Sequence, residues 1–252
     1  MNKKKILVLA VSVALVAILA IGGSLAYFTD TTETKTNEFT VGNVDIELSE
    51  PEWEGTANLM PGVTYPKDPT ITVQDGSQDC WVFMKVEINK FNSWLRLVGI
   101  QNGFVVKNVK DGVDCGEGAS CQGHINAAKF TTFFASGAYK AAFNEWFGGV
   151  DHDAWKIMNL DEVMESIQAS WQDSTIKVVN PIFGYKKSLS AGKKVTLFTS
   201  VTMPASVTSQ QLSDSRFNTE KANWKMNITA YAIQAAEIAD IDAAYKALFE
   251  AA

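Results

Sequence analysis

The chain reads as mainly β, a two-sheet antiparallel sandwich with a helical insertion and a short C-terminal helix. Three observations predict this. Several segments alternate apolar and polar residues with the period of half-buried strands. Gly, Pro, Ser and Asp turns punctuate them. Helical spacing of apolar residues is confined to a middle stretch and the end of the chain.

The first element is not part of the sandwich. Lys3, Lys4 and Lys5 precede an apolar run, Ile6 to Ile21, of 16 residues broken only by Ser12. Gly22 and Gly23 follow, and Ser24 and Ala26 satisfy the small-x-small rule of a signal-peptide cleavage site. Residues 1–26 are therefore expected to be a signal peptide, cut between Ala26 and Tyr27. The competing reading is an uncleaved anchor, because the apolar stretch continued to Phe28 spans 23 residues, and a bilayer needs roughly 20. Gly22-Gly23 weakens a helix there, which favours cleavage. No second apolar stretch approaches spanning length, so membrane contact is expected only through the uncleaved signal.

Removing residues 1–26 takes away three lysines and no acids, leaving 19 basic against 28 acidic residues, a net charge of -9 over 226 residues. Such a chain repels nucleic acid, whose binding needs clustered Lys and Arg. Seven tryptophans argue for a packed core.

Residues 27–38 form an extended arm. It has no Pro or Gly, and Thr29, Thr31, Thr32, Thr34 and Thr36 give β-branched stiffness with little apolar area. Twelve residues reach roughly 40 Å when extended. Such a strand can join a sheet but cannot build one.

Residues 39–252 make the sandwich domain. Phe39 and Val41 lead to a Gly42-Asn43 turn, after which Val44, Ile46 and Leu48 alternate with Asp45 and Glu47. Thr70–Val73 is a second strand, and Trp81–Ile88 a third, with Val82, Met84, Val86 and Ile88 on one side and Lys85 and Glu87 on the other. The insertion occupies about residues 91–175. Within it, Asn102-Gly103 between Val98 and Val105-Val106 predicts a small hairpin. Ile125–Phe147 and Ala154–Trp171 have helical spacing and are separated by Gly148-Gly149. Strands resume at Ile176–Val179, then Val195 to Met203 by strict alternation, and Met226, Ile228 and Ala230. Ile238, Ile241, Tyr245 and Leu248 form an apolar stripe on a C-terminal helix of about residues 235–250, expected to lie on the protein's own sheet.

Candidate chemistry is sparse. The only histidines, His124 and His152, stand 28 positions apart, and the His-Glu-x-x-His arrangement of zinc peptidases is absent. Asp151, His152 and Asp153 form a composite metal candidate that reads better as a solvated turn. No Ser-His-Asp, Cys-His or phosphate-cradling glycine motif is present. No catalytic or metal-binding residue and no cofactor is assigned. Cys115 and Cys121 enclose five residues, and in an exported chain they are expected to form a disulfide; His124 offers the rival Cys-x5-Cys-x2-His metal set. Cys80, at the start of an apolar strand, reads as a small buried residue.

Taken together, Ala26–Asp30, Phe39–Ile46, Asn58–Gly62, Leu197–Pro204 and Ile228–Gln234 resemble the TasA/camelysin family of exported Gram-positive proteins. The likeness covers both ends of the chain but little of residues 91–175 and not the C-terminal helix. It implies a jelly-roll sandwich, a dedicated signal peptidase as partner, and secretion to an extracellular matrix or the cell surface. It further implies self-assembly into biofilm-matrix fibres by strand donation, with an accessory fibre subunit as a further candidate partner. Tyr27 and Phe28 would then anchor the donated strand. Two other readings stay open: a camelysin-like cell-surface metallopeptidase, and a monomeric binding module presenting Trp146 and Trp155.

Overall fold

The computed structural model describes residues 43–53, 55, 60–89, 91–106, 109–110, 113–114, 124–172, 176–207 and 225–250. The elements in order are β1 (Ile46–Ser49), β2 (Thr64–Pro66), β3 (Thr70–Val73), β4 (Cys80–Ile88) and α1 (Phe91–Gln101). Four two-residue strands follow, β5 (Val105–Val106), β6 (Val109–Lys110), β7 (Val113–Asp114) and β8 (His124–Ile125). Then come α2 (Ala127–Ala135), α3 (Ala138–Trp146), β9 (Phe147–Gly148), β10 (Trp155–Ile157) and α4 (Leu160–Gln172). The chain finishes with β11 (Ile182–Tyr185), β12 (Lys194–Thr196), β13 (Ser200–Thr202), β14 (Met226–Gln234), α5 (Ile241–Tyr245) and a π-helical turn, Lys246–Glu250.

All the sheets are antiparallel, as the alternating patterns require. One runs β1-β3-β12, a second β10-β11-β4-β14, and a third β2-β13-β9. Ile71 and Val73 of β3 share one buried cluster with Val82, Met84 and Val86 of β4, so the first two sheets face each other across a common core. This is the sandwich that alternation predicts.

The strands at Thr70–Val73 and Trp81–Ile88 are found as expected. Both faces of β4 are occupied, however. Trp81 and Phe83 belong to an outer cluster with Ile182, Ile241, Ala244 and Tyr245. The C-terminal stripe thus lies on the protein's own sheet, as its spacing suggests. Gly184 makes the close approach that this requires, since a Cβ there would stand 2.9 Å from Ile241 Cγ1.

Four expectations are corrected. Asn102-Gly103 is not a hairpin turn but the C-terminal cap of α1. Asn102 N–H donates to Val98 O, Phe104 N–H to Gly99 O, and Gly103 takes φ of 73°, the left-handed cap that glycine favours. Phe91, Trp94, Leu95 and Val98 are all buried, and their spacing is that of one helix face. The strand expected at Ile176–Val179 lies instead at β11, because Ile182–Gly184 takes the edge of β4 while Ile176 and Val179 remain exposed. Ala154–Trp171 begins with a strand, β10, before the helix starts at Leu160. Val195–Met203 is not one strand: Leu197 and Phe198 are both fully buried, which breaks alternation and transfers the chain from β12 in the first sheet to β13 in the third.

The insertion adds a second, aromatic part of the core. Trp94 stacks on Phe91 at 5.4 Å and meets Trp146 edge-on at 6.1 Å; Phe104 packs on Phe130 and Phe133. Asn126 caps α2 by accepting from Lys129 N–H at 3.0 Å.

Candidate functional site

An edge strand offers a row of backbone groups to which another strand can pair. On one flank of the sandwich the outer strands β10 and β12 are bridged by a side chain. The Trp155 indole of β10 donates to the Thr196 carbonyl of β12 at 3.1 Å, tying the two sheets together. In the third sheet, β2 ends in Pro66, which has no N–H to offer.

On the other flank the outer strands are β14 and β1. There β14, nine residues long, pairs with β4 along its whole length, and no strand among the described residues pairs with its other side. Asn89 N–H donates to Lys225 O and Ala235 N–H to Asp79 O. With a register unbroken from Met226 to Gln234, the odd-numbered residues of β14 turn their backbone groups to β4. The even-numbered residues, Met226, Ile228, Ala230, Ala232 and Gln234, turn theirs outward. The first four also direct their side chains to the core.

β1, beside β14 on this flank, repeats the arrangement. Gln74 N–H donates to Asp45 O, so Ile46 and Leu48 present their backbone outward and their side chains inward. These inward residues are only half-buried, whereas their counterparts in β3 and β4 are fully buried. Among the described residues the flank therefore combines backbone groups that no strand pairs with half-buried apolar side chains.

These outer strands are held firmly. At one end of β1, Gln78 N–H donates to Asn43 O and Asp45 N–H to Ser77 Oγ. At the other, the buried Lys67 ammonium meets Glu50 at 2.7 Å and lies 4.7 Å from the Trp53 ring. β14 is fixed by Lys225 N–H donating to Asn89 Oδ1 at 2.9 Å.

Of the residues singled out in the sequence, Ala26, Tyr27, Phe28, Cys115 and Cys121 lie outside the described residues. Cys80 is fully buried, and burial, aided by Asp79, pushes its thiol up to about 11. Trp146 and Trp155 are 3% and 2% exposed, which corrects their reading as surface contacts: one indole donates to Gln101 Oε1 and the other to Thr196 O. Asp151 Oδ1 accepts from Asp153 and Ala154 N–H, which makes the Asp-His-Asp segment a turn.

His152 joins that turn to α3. Its Nε2 donates to Lys140 O at 3.1 Å, and its ring stands edge-on to Tyr139 and Phe143. Burial holds its pKa below 6.5, with the Lys140 and Lys186 charges acting in the same direction and the Lys140 carbonyl and Asp151 opposing them. The unfolded chain therefore takes up this proton at higher pH than the folded one. The associated stability is complete above about pH 6.5 and is lost as pH falls. Thermal midpoints followed by circular dichroism are expected to drop between about pH 7 and pH 5, and to drop less in His152→Gln. An equal drop in both chains would remove His152 as the cause.

Among the described residues, β14 and β1 are the outer strands of their sheets on this flank, with no strand paired to their outer sides. Residues 1–90 match the family model described as camelysin metallo-endopeptidase. The chain carries the family's pattern over that stretch, which bears out the resemblance to the TasA/camelysin family. No curated protein and no solved structure gives a significant match.

The peptidase description implies a metal, and among the described residues no donor set for one is found. Residues 1–90 contain no histidine. Among the described residues no three His, Cys, Asp or Glu side chains converge as ligands, and the one cysteine of the matched stretch is the buried Cys80. No helix among the described residues is long and apolar enough to cross a membrane.

Proposed function

We propose that the chain is a secreted structural protein that polymerises into extracellular biofilm-matrix fibres, the arm Tyr27–Glu38 of one copy adding to the free edge of β14 in the next. The observation that carries this reading is the outward row of backbone groups from Met226 to Gln234, set over half-buried apolar side chains. The arm's twelve residues are long enough to cover the nine of β14. Net gains of about 0.5 to 1.5 kcal/mol per hydrogen bond, with about 1.5 to 3 for each large apolar side chain buried, favour such an addition. Each copy donates at one place and accepts at another, so the contact does not close and a filament grows. Signal-peptide removal is the switch, because the arm is tethered at the membrane until Tyr27 is freed.

Negative-stain microscopy tests this. A chain starting at Tyr27 is expected to form fibres. A chain starting at Glu38 is expected to fold, remain monomeric and shorten the fibres of the longer form by capping their acceptor ends. Indistinguishable fibres from the two chains would overturn the reading.

A further inference from the structure

We infer that the loop from Lys186 to Lys194 is a binding surface for a linear anionic polysaccharide. The inference is independent of fibre assembly. It concerns a cluster of positive charge that the net balance of the chain conceals. From residue 174 to residue 213 the sequence has five lysines and no Asp or Glu, in a chain whose net charge is -6. Four of the five, Lys186, Lys187, Lys193 and Lys194, stand as two doublets at the ends of this loop.

The loop crosses from β11 in the second sheet to β12 in the first, which sets the doublets about 10 Å apart, the spacing of packed sheets. Its backbone is fixed at three places. Lys186 N–H donates to Ala154 O at 2.9 Å. The buried Leu189 exchanges two hydrogen bonds with Cys80. Gly192 N–H donates to Val73 O and Val73 N–H to Lys193 O, and Gly192 takes the φ of 75° that this turn needs. A loop held in this way has little backbone freedom left to lose on binding.

All four lysines are exposed, and none of them forms an ion pair with another described residue. The Lys186 ammonium donates to His152 O at 3.0 Å, which leaves it further protons to donate. Val195 packs on the core, so Lys194 points away from it. Asp75, beside Gly192, and Asp79, Asp151 and Asp153 are the acids of the neighbouring turns. At physiological ionic strength, exposed charges more than about 8 Å apart are largely screened. The lysine doublets therefore present their own positive potential rather than the negative one of the whole chain.

The chemistry of the loop selects the partner. Four ammonium groups and no guanidinium act as point charges without a planar fork, which suits acid groups strung along a flexible chain. Between the doublets the exposed residues are Ser188, Ser190, Ala191 and Gly192, with no aromatic ring among them. Single-stranded nucleic acid is held by stacking on such rings. A duplex would bring its broad, uniformly charged face against the exposed carboxylates of Asp75 and Asp151. A saccharide chain is narrow enough to lie on the loop alone, with its acid groups on the lysines and its hydroxyls on Ser188 and Ser190.

Salt-dependent binding to immobilised polyuronate tests this, using chains that start at Tyr27, matched in assembly state, with neutral dextran as the blank. At a slope of about -0.7 per lysine contacted, as for a single-stranded polyanion, affinity is expected to fall about fiftyfold between about 50 and 200 mM salt. Replacing Lys187→Gln, Lys193→Gln and Lys194→Gln together is expected to weaken binding and reduce that fall to about threefold, with circular dichroism unchanged. The control replaces Lys129→Gln, Lys177→Gln and Lys246→Gln, three exposed positions elsewhere, and alters net charge equally. It is expected to bind as the unsubstituted chain does. Equal losses in the two triple variants would reduce binding to net charge and overturn the site, as would equal retention on dextran or none on polyuronate. Tighter binding of duplex DNA through the same three lysines would overturn the polysaccharide as partner.

Discussion

Ala230→Pro is expected to abolish fibre formation while leaving the monomer folded, and Thr229→Pro, one residue away, to unfold it. The contrast comes from the ladder. Asn89 N–H bonds Lys225 O and Ala235 N–H bonds Asp79 O, so the odd-numbered residues between them face β4 and the even-numbered ones face away. Proline at Ala230 removes a donor that β4 does not use, a position at which edge strands tolerate it. Its ring then projects into the path of an incoming strand and cancels a central rung of the acceptor. Proline at Thr229 breaks the ladder opposite Lys85 and costs on the order of 3 kcal/mol, a large part of a domain's stability. Circular dichroism and size-exclusion chromatography report the fold, and microscopy reports assembly. Fibres of normal yield from folded Ala230→Pro would exclude this edge as the acceptor, whatever the N-terminal arm does.

Parity of this kind was only half legible in the sequence. The alternation of Met226, Ile228 and Ala230 gives the strand and its inward face, because side chains report burial directly. Which of its backbone edges is free depends on what lies beside it, and every residue carries the same amide. The same limit explains β11. Ile176–Val179 has the better β-branched composition, yet Ile182–Gly184 holds the edge of β4, since pairing is settled by the partner. At Asn102-Gly103 the local signal was ambiguous in kind, because an Asn-Gly pair suits a hairpin turn and a left-handed helix cap equally. The preceding Phe91, Trp94, Leu95 and Val98 decide between them. Trp146 and Trp155, read as contacts of a surface module, are buried instead because the aromatic residues of the insertion join the core of the sandwich. The C-terminal stripe packs on its own sheet as its apolar spacing suggests, but the helix is shorter than the expected 235–250: it starts at Ile241, after the Asp240 cap, and Ile238 precedes it.

Tyr245→Ala should be among the most destabilising single changes outside the central strands, even though it lies near the chain's end. Tyr245 is 7% exposed and packs on Phe83 at 6.2 Å and on Phe249 at 5.1 Å. Phe83 in turn belongs to the central strand that pairs with β11 and β14 on its two sides. Truncating a buried aromatic ring leaves a cavity and costs about 3 to 5 kcal/mol, which for a domain of this size lowers the thermal midpoint by roughly 6 °C or more. The control is Asp242→Asn, in the same helix. Its ion pair with Lys156, 2.6 Å long, is exposed on both sides, and such pairs contribute about 0 to 1 kcal/mol. Urea denaturation of both variants separates the two effects, and a Tyr245→Ala loss no greater than that of Asp242→Asn would show that the C-terminal helix is not part of the cooperative fold.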